Sequence, residues 1–236
     1  MILLQLSAQR IAIILSGLIF LLTICHITSH LLHAGDANRL TELLVEKFSF
    51  DLERNIPTFF SSIILFLSSL LFFLIGWATK HSAEPKWHRF WSFLAMAFLF
   101  LALDEAAHLH EHFDSDYIWG EYSGTGLLAW PWVFVYGGLA LLFVLSYIKF
   151  WLHLAPFYKI CYFIAGALYV GSALGFEMLE ALEYSSNDNT YTVTYLIYSS
   201  IEEFFEMSAI TFLIYTNLRY MAETLPETAF SIKKSN

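Results

Sequence analysis

Several segments of this chain are long and apolar enough to cross a lipid bilayer. Residues 58–78 and 127–148 carry no charged side chain, and residues 11–24 are similarly apolar. A membrane-spanning helix needs about 20 predominantly apolar residues. Only 14% of the residues are charged whereas 58% are hydrophobic, which excludes an ordinary soluble domain. The sequence therefore predicts an all-α integral membrane protein.

We predict a single bundle of six transmembrane helices. The predicted spans are residues 10–33, 57–79, 89–113, 127–149, 158–184 and 192–218. Acidic residues interrupt the third, fifth and sixth spans, so a hydropathy scan assigns these three segments a lower hydrophobicity than the other spans. In this arrangement nine Lys and Arg residues lie at one face and three at the other. The positive-inside rule then places both termini in the cytoplasm.

The bundle is expected to form one domain over residues 1–220, followed by a polar cytoplasmic tail at 221–236. Between spans one and two, Leu40, Leu43 and Leu44 alternate with acidic residues at helical spacing. This pattern predicts an amphipathic helix on the outer membrane surface. Such a helix is either a solvated linker or a lid over a site. We expect a multi-pass protein of a bacterial inner membrane, and no nucleic-acid partner.

Acidic residues and histidines accumulate at the outer end of the predicted spans, with no Lys or Arg beside them. They are Asp104, Glu105, Glu111, Glu177, Glu180, Glu183, Glu202, Glu203, Glu206, His26, His30, His33, His108, His110 and His112. An ionised carboxylate in hydrocarbon is unfavourable unless a cation or a proton compensates it. Metal ions would supply the missing positive charge, and Glu and His are their ligands.

Helical spacing brings these side chains together, because residues three, four or seven apart share a helix face. Spans one, three, five and six place them in a common layer about 10–17 Å inside the outer ends of the spans. The predicted metal ligands are His26, His30, Glu105, His108, His112, Glu177, Glu180, Glu203 and Glu206. Asp104, Glu202 and Tyr198 are expected to orient those ligands through hydrogen bonds.

The segment Glu105-x-x-His108 resembles one element of the di-iron carboxylate bundles. Those proteins use a Glu from each of two helices and a Glu-x-x-His from each of two others. The second copy here would be 177–180 or 203–206, with Glu where His is expected. Histidines of span one would complete the ligand set. The resemblance in chemistry implies two iron ions, with zinc or manganese as alternatives.

The expected function is that of a membrane-embedded, di-iron oxidoreductase with its site in the outer half of the bilayer. A lipid-soluble substrate would enter from the membrane and be oxidised at the expense of oxygen, with a redox partner supplying electrons. One alternative is a zinc-dependent transmembrane hydrolase, in which a spare Glu acts as general base. Others are a transporter of divalent metal or protons and an accessory subunit of a membrane complex.

Overall fold

The computed structural model describes residues 7–82, 84–107, 109, 126–188 and 190–225, and in these residues the regular structure is entirely helical. Two short 3₁₀ segments, Pro85–Trp87 and Gly126–Leu128, accompany the α-helices. The α-helices are α1 (Ala8–Gly35), α2 (Arg39–Phe48), α3 (Ile56–Lys80), α4 (His88–Ala107), α5 (Trp132–His153), α6 (Pro156–Ser186) and α7 (Val193–Thr224).

Five helices in the described part of the chain are long and apolar enough to cross a membrane. They are α1, α3, α4 with its preceding 3₁₀ turn, α5 and α6. These helices expose many large aliphatic and aromatic side chains, such as Ile13, Phe59 and Leu142. A soluble protein rarely exposes apolar patches of such extent. The predicted all-α architecture is therefore confirmed for the described residues, with five helices that are suited to cross a membrane.

The helices pack as two hairpins, α3 with α4 and α6 with α7, and α7 also lies against α1 and α3. Gly76 permits the close approach of α3 and α4. A Cβ added there would lie 3.1 Å from the Ser92 hydroxyl and 3.2 Å from its backbone nitrogen. Nearby, the Ser69 hydroxyl donates to the Ala95 carbonyl at 2.6 Å. Small residues and hydroxyls at helix contacts are typical of membrane bundles.

The segment between α1 and α3, predicted to lie at the outer surface, is ordered by two asparagines. Asn38 accepts hydrogen bonds from the backbone N–H groups of Leu40 and Thr41, and so caps the predicted amphipathic helix α2. Asn55 caps α3 and also donates to the carbonyls of Ser49 and Leu52. The intervening turn, residues 49–55, therefore has a defined conformation, and we call it the outer turn.

Candidate functional site

Three glutamates converge where the C-terminal part of α6 meets the N-terminal part of α7. Glu177 and Glu180 of α6 and Glu202 of α7 each offer a carboxylate oxygen, and these oxygens lie within 4.8 Å of one another. We call these residues the carboxylate triad. Glu177 and Glu180 share a helix face because they are three residues apart, and α7 brings Glu202 to that face. Three carboxylates at this separation repel one another unless protons or a cation lie between them.

Glu180 is the most buried member, with a relative exposure of 3%. Its carboxyl group lies close to the carboxyl of Glu202 and to the hydroxyl of Tyr195. Two carboxyl groups this close are stable only when a proton or a cation lies between them. The Oε1 atom of Glu180 is inaccessible and has no hydrogen-bond partner among the residues that the structure describes. Since buried polar atoms are nearly always partnered, this oxygen is suited to a cation.

Aromatic side chains of α5 orient the neighbouring carboxylates. The Trp132 indole N–H donates to Glu177 Oε1 at 3.1 Å, and the Tyr136 hydroxyl donates to Asp104 Oδ1 at 3.1 Å. Both donors are neutral, so they position the carboxylates without compensating their charge. Neither residue belongs to the site predicted from the sequence. Their position could have indicated this role, because they lie one helical turn apart at the end of α5 that is nearest to the acids.

A second group of acids lies around Tyr169 of α6. Its hydroxyl is within electrostatic range of Glu105, Glu203, Glu206 and Asp104. Glu206 also interacts electrostatically with Glu105 and with the triad residues Glu177 and Glu180. Acids of α4, α6 and α7 therefore form one continuous polar layer, which the sequence analysis predicted from helical spacing. Glu202 lies in the triad itself, whereas it was expected to orient other ligands.

The outer turn reaches this layer and adds two acids that the sequence analysis did not consider. Asp51 is in hydrogen-bond contact with the Tyr195 hydroxyl, which also contacts Glu180. Glu53 is within electrostatic range of Glu203. Burial raises the pKa of Asp51, and the hydrogen bond from Tyr195 opposes that rise. The outer turn thus lies close to the acids of α6 and α7.

His26 joins the outer turn to α7. Its Nδ1 accepts a hydrogen bond from the Phe50 backbone N–H at 3.1 Å, and the Phe50 ring stacks on the imidazole at 4.6 Å. Because Nδ1 is an acceptor, the ring proton of neutral His26 lies on Nε2, which is 2.8 Å from the Ser200 hydroxyl. Both ring nitrogens are engaged, and His26 is not part of the converging ligand set.

His30 and Tyr198 also contact residues outside the carboxylate triad. His30 Nε2 lies 3.1 Å from the Ser49 hydroxyl of the outer turn. The Tyr198 ring packs against Phe176, with centroids 6.4 Å apart. The predicted ligands His108 and His112 lie outside the described residues, so their role as ligands stays a prediction.

Comparison with known proteins identifies a family but assigns no activity. No curated protein and no solved structure matches the chain. A family described as a domain of unknown function, DUF8692, matches residues 14–220. The match includes all the acids of the polar layer and the outer turn. With most of its length covered, the chain belongs to the DUF8692 family.

Proposed function

We propose that the chain is a membrane-embedded, metal-dependent oxidoreductase whose metal is held by the carboxylate triad. The observation that carries the proposal is the convergence of three carboxylate oxygens within 4.8 Å of one another. Within the described part of the chain, Glu180 also has a buried oxygen without a hydrogen-bond partner. A cation at this point would balance the charges of Glu177, Glu180 and Glu202 and supply the missing contact of Glu180 Oε1.

Iron is the metal that we expect, in a site of two ions. The triad offers one set of oxygen ligands, and Glu105, Glu203 and Glu206 around Tyr169 offer a second. Carboxylate-rich sites of this kind suit iron or manganese. Bound iron would supply the capacity to react with oxygen. The protein's own contribution is to orient the carboxylates through Trp132 and Tyr136 and to cover them with the outer turn.

The surroundings of the triad favour a lipid-soluble substrate. Leu179 and Leu182 flank Glu180 on α6 and are exposed on the outside of the bundle, as is Phe205 beside Glu206 on α7. An apolar molecule in the bilayer therefore reaches the neighbourhood of the acids without crossing water. Oxidation of such a substrate by oxygen requires a redox partner when the substrate does not supply all the electrons.

Zinc hydrolysis is less well supported, because the triad offers only oxygen atoms and zinc sites in proteins mostly include nitrogen or sulfur ligands. Cation or proton transport is the second candidate, and one observation favours it. Below the acids, the Tyr162 hydroxyl donates to Oδ1 of Asn217 at 2.8 Å, and Asn217 is fully buried. Polar contacts between α6 and α7 thus continue toward the other end of the bundle.

The metal content of the purified protein tests the proposal. We expect about two irons per wild-type chain, measured by elemental mass spectrometry without added chelators. Glu180→Gln should lower the metal content about tenfold or more, since it removes a charged ligand. Glu183→Gln is the matched control, because Glu183 lies one turn away on α6 and accepts a hydrogen bond from the Thr192 hydroxyl at 2.7 Å.

The outcomes separate the candidate functions. One zinc per chain would favour the hydrolase. Absence of metal after reconstitution with iron, manganese and zinc would overturn the metal proposal and leave proton transport. Equal metal loss in Glu180→Gln and Glu183→Gln would show that the triad is not the binding site.

The proposal includes a topology of six spans with both termini in the cytoplasm of a bacterial cell. α7 packs lengthwise against α6, α1 and α3, each of which is apolar enough to span. A 32-residue helix is about 48 Å long, which is long enough for α7 to cross the bilayer beside these neighbours. In this topology the carboxylate triad lies toward the periplasmic face.

A further inference from the structure

Three histidines of α1 contact the segment that leads from α2 into the outer turn. His26, His30 and His33 lie four and three residues apart, so they share one face of the helix. In the same order, their partners are the Phe50 backbone nitrogen at 3.1 Å, the Ser49 hydroxyl at 3.1 Å and the Thr41 hydroxyl at 3.2 Å. Side chains that can gain a charge near neutral pH therefore fasten α2 and the outer turn to α1.

The contacts of His26 determine where the proton of its neutral ring lies. The Ser200 hydroxyl donates to the Leu196 carbonyl, so its oxygen accepts the proton of His26 Nε2 at 2.8 Å. The Phe50 backbone N–H can only donate, so His26 Nδ1 presents a lone pair to it. His26 is only 3% exposed, and the Phe50 ring stacks on its imidazole. The closed arrangement therefore requires the neutral ring.

A second proton on His26 is incompatible with this arrangement. The added hydrogen on Nδ1 would point at the Phe50 N–H, so two donors would face each other across 3.1 Å. The charged ring would also be buried beside His30, whose ring centroid is 4.8 Å away. A buried charge is unfavourable unless a group of opposite charge accompanies it. The protonated form is therefore favoured when the outer turn has separated from His26.

The other two histidines can keep their contacts when they are charged. The Thr41 hydroxyl donates to backbone carbonyls, so it accepts from His33 Nδ1–H, which a charged ring also carries. A serine hydroxyl both donates and accepts, so a charged His30 can still donate to Ser49. Sensitivity to acid is therefore specific to His26, whose Nδ1 faces an N–H group.

Charged and titratable groups lie on every element packed around His26. They are Cys25, His30 and His33 on α1, Arg39, Glu42, Glu46 and Lys47 on α2, Asp51, Glu53 and Arg54 in the outer turn, and Tyr195, Tyr198, Glu202, Glu203 and Glu206 on α7. The charged side chains of α2 are exposed. Asp51 contacts the Tyr195 hydroxyl, and Glu53 is within electrostatic range of Glu203. The titratable group in ring contact with His26 is another histidine.

Asp51 responds to acid in the opposite sense. Burial raises its pKa, so the proton that it takes up on acidification favours the position it has in the closed outer turn. Opening of the outer turn in acid would therefore have to come from the histidines and not from Asp51.

We propose that His26 is an acid-sensitive latch, which holds the outer turn against α1 and α7 and releases it when the imidazole takes up a proton. Release separates Asp51 from Tyr195 and Glu53 from Glu203. The acid layer then becomes more accessible to water from the side of the outer turn. The latch goes beyond the proposed function, because it operates without a bound metal.

Hydrogen–deuterium exchange of the full-length, metal-free protein in detergent tests the latch. Protection of the amides is compared at pH 7.5 and pH 5, after correction for the intrinsic effect of pH on exchange. A histidine freed from its contacts takes up a proton near the ordinary histidine pKa of about 6.5, so acid favours the open segment by up to about thirtyfold. We expect the protection of residues 50–53 to fall about tenfold or more. Amides in the middle of α3 should keep theirs, because the bundle stays folded.

His26→Asn should abolish this response to acid. The oxygen of Asn can accept from the Phe50 N–H in place of Nδ1, but Asn takes up no proton in this pH range. His33→Asn is the matched control on the same face of α1, and it should retain the response.

A response that persists in His26→Asn would overturn the proposal. Equal loss of the response in His26→Asn and His33→Asn would also overturn it, because the summed charge of α1 and not the latch would then be responsible. The wild-type measurement does not depend on the folding of a variant. If the protection of residues 50–53 is the same at both pH values, there is no latch.

Discussion

Neutral side chains hold the carboxylates of the acid layer. Trp132 donates to Glu177 and Tyr136 donates to Asp104, while the Tyr195 hydroxyl contacts Asp51 and Glu180. Indole and phenol groups fix the direction of a carboxylate but carry no positive charge of their own. A bound cation is attracted to these carboxylates in a medium of low dielectric constant. The choice of partners therefore suits a site that binds cations.

Asp51→Asn should change the stability of the metal-free protein in a pH-dependent way. Burial raises the pKa of Asp51 above its ordinary value of 3.8, so the folded protein binds this proton more tightly than the unfolded chain. Its contribution to stability is complete below about pH 3.8 and declines as the pH rises through the raised pKa. Asn imitates the neutral carboxyl, so the variant should unfold at a higher temperature than the wild type at pH 8 and at a similar temperature at pH 4.

Thermal unfolding of chelator-treated protein in detergent measures this difference. Glu46→Gln, on the exposed side of α2, serves as the control and should lack the effect. A difference between Asp51→Asn and wild type that is the same at pH 4 and pH 8 would contradict a buried, protonated Asp51.

At the level of elements, the outer turn links three helices. His26 of α1 accepts from the Phe50 N–H and contacts Ser200 of α7, while Asn55 at the start of α3 donates to carbonyls of the turn. Arg54 has φ 59°, a left-handed conformation that a non-glycine residue adopts only when its surroundings compensate the strain. These contacts hold Asp51 and Glu53 over the acids.

Asn55→Ala should loosen the outer turn. The substitution removes the N-cap of α3 and leaves the Ser49 and Leu52 carbonyls without their donor, so we expect a loss of about 2 kcal/mol of unfolding free energy. Backbone amides of residues 49–55 should exchange with deuterium faster. Asn38→Ala removes the cap of α2 instead and should lower stability by about 1 kcal/mol without that local increase. Equal exchange in both variants would show that Asn55 does not hold the turn.

Helix periodicity predicted the helices and the layer in which the acids meet, but it did not predict the contacts of the outer turn. The apolar runs and the amphipathic pattern after Asn38 depend only on residues close together in sequence, and the structure has helices at these positions. His26 shares a helix face with His30, as expected, yet its Nδ1 accepts a hydrogen bond from the backbone N–H of Phe50, a contact that helical spacing did not indicate. Spacing along a helix determines which side chains share a face, whereas their partners come from irregular segments distant in sequence.

At the scale of the whole molecule, two polar regions lie at opposite ends of a largely apolar bundle. The acid layer with the outer turn forms one end, and the groups around Glu84 and His153 form the other. Between them lie buried apolar residues such as Ile64, Phe72 and Ile210. The two ends would face different compartments in the six-span topology, because Lys80, Lys86 and Arg89 mark the end at Glu84 as cytoplasmic under the positive-inside rule.

Cysteine labelling of intact cells tests that topology. Cys25 and Cys161 are unpaired and would first be replaced by alanine, after which Ser7→Cys, Asn187→Cys or Ala222→Cys is introduced singly. With six spans, a membrane-impermeant maleimide should label Asn187→Cys on intact cells, and the other two only after permeabilisation. If α7 did not cross, positions 7 and 222 would be labelled from opposite sides. That result would move α7 out of the bilayer, where Glu202, Glu203 and Glu206 would be hydrated and would need no cation.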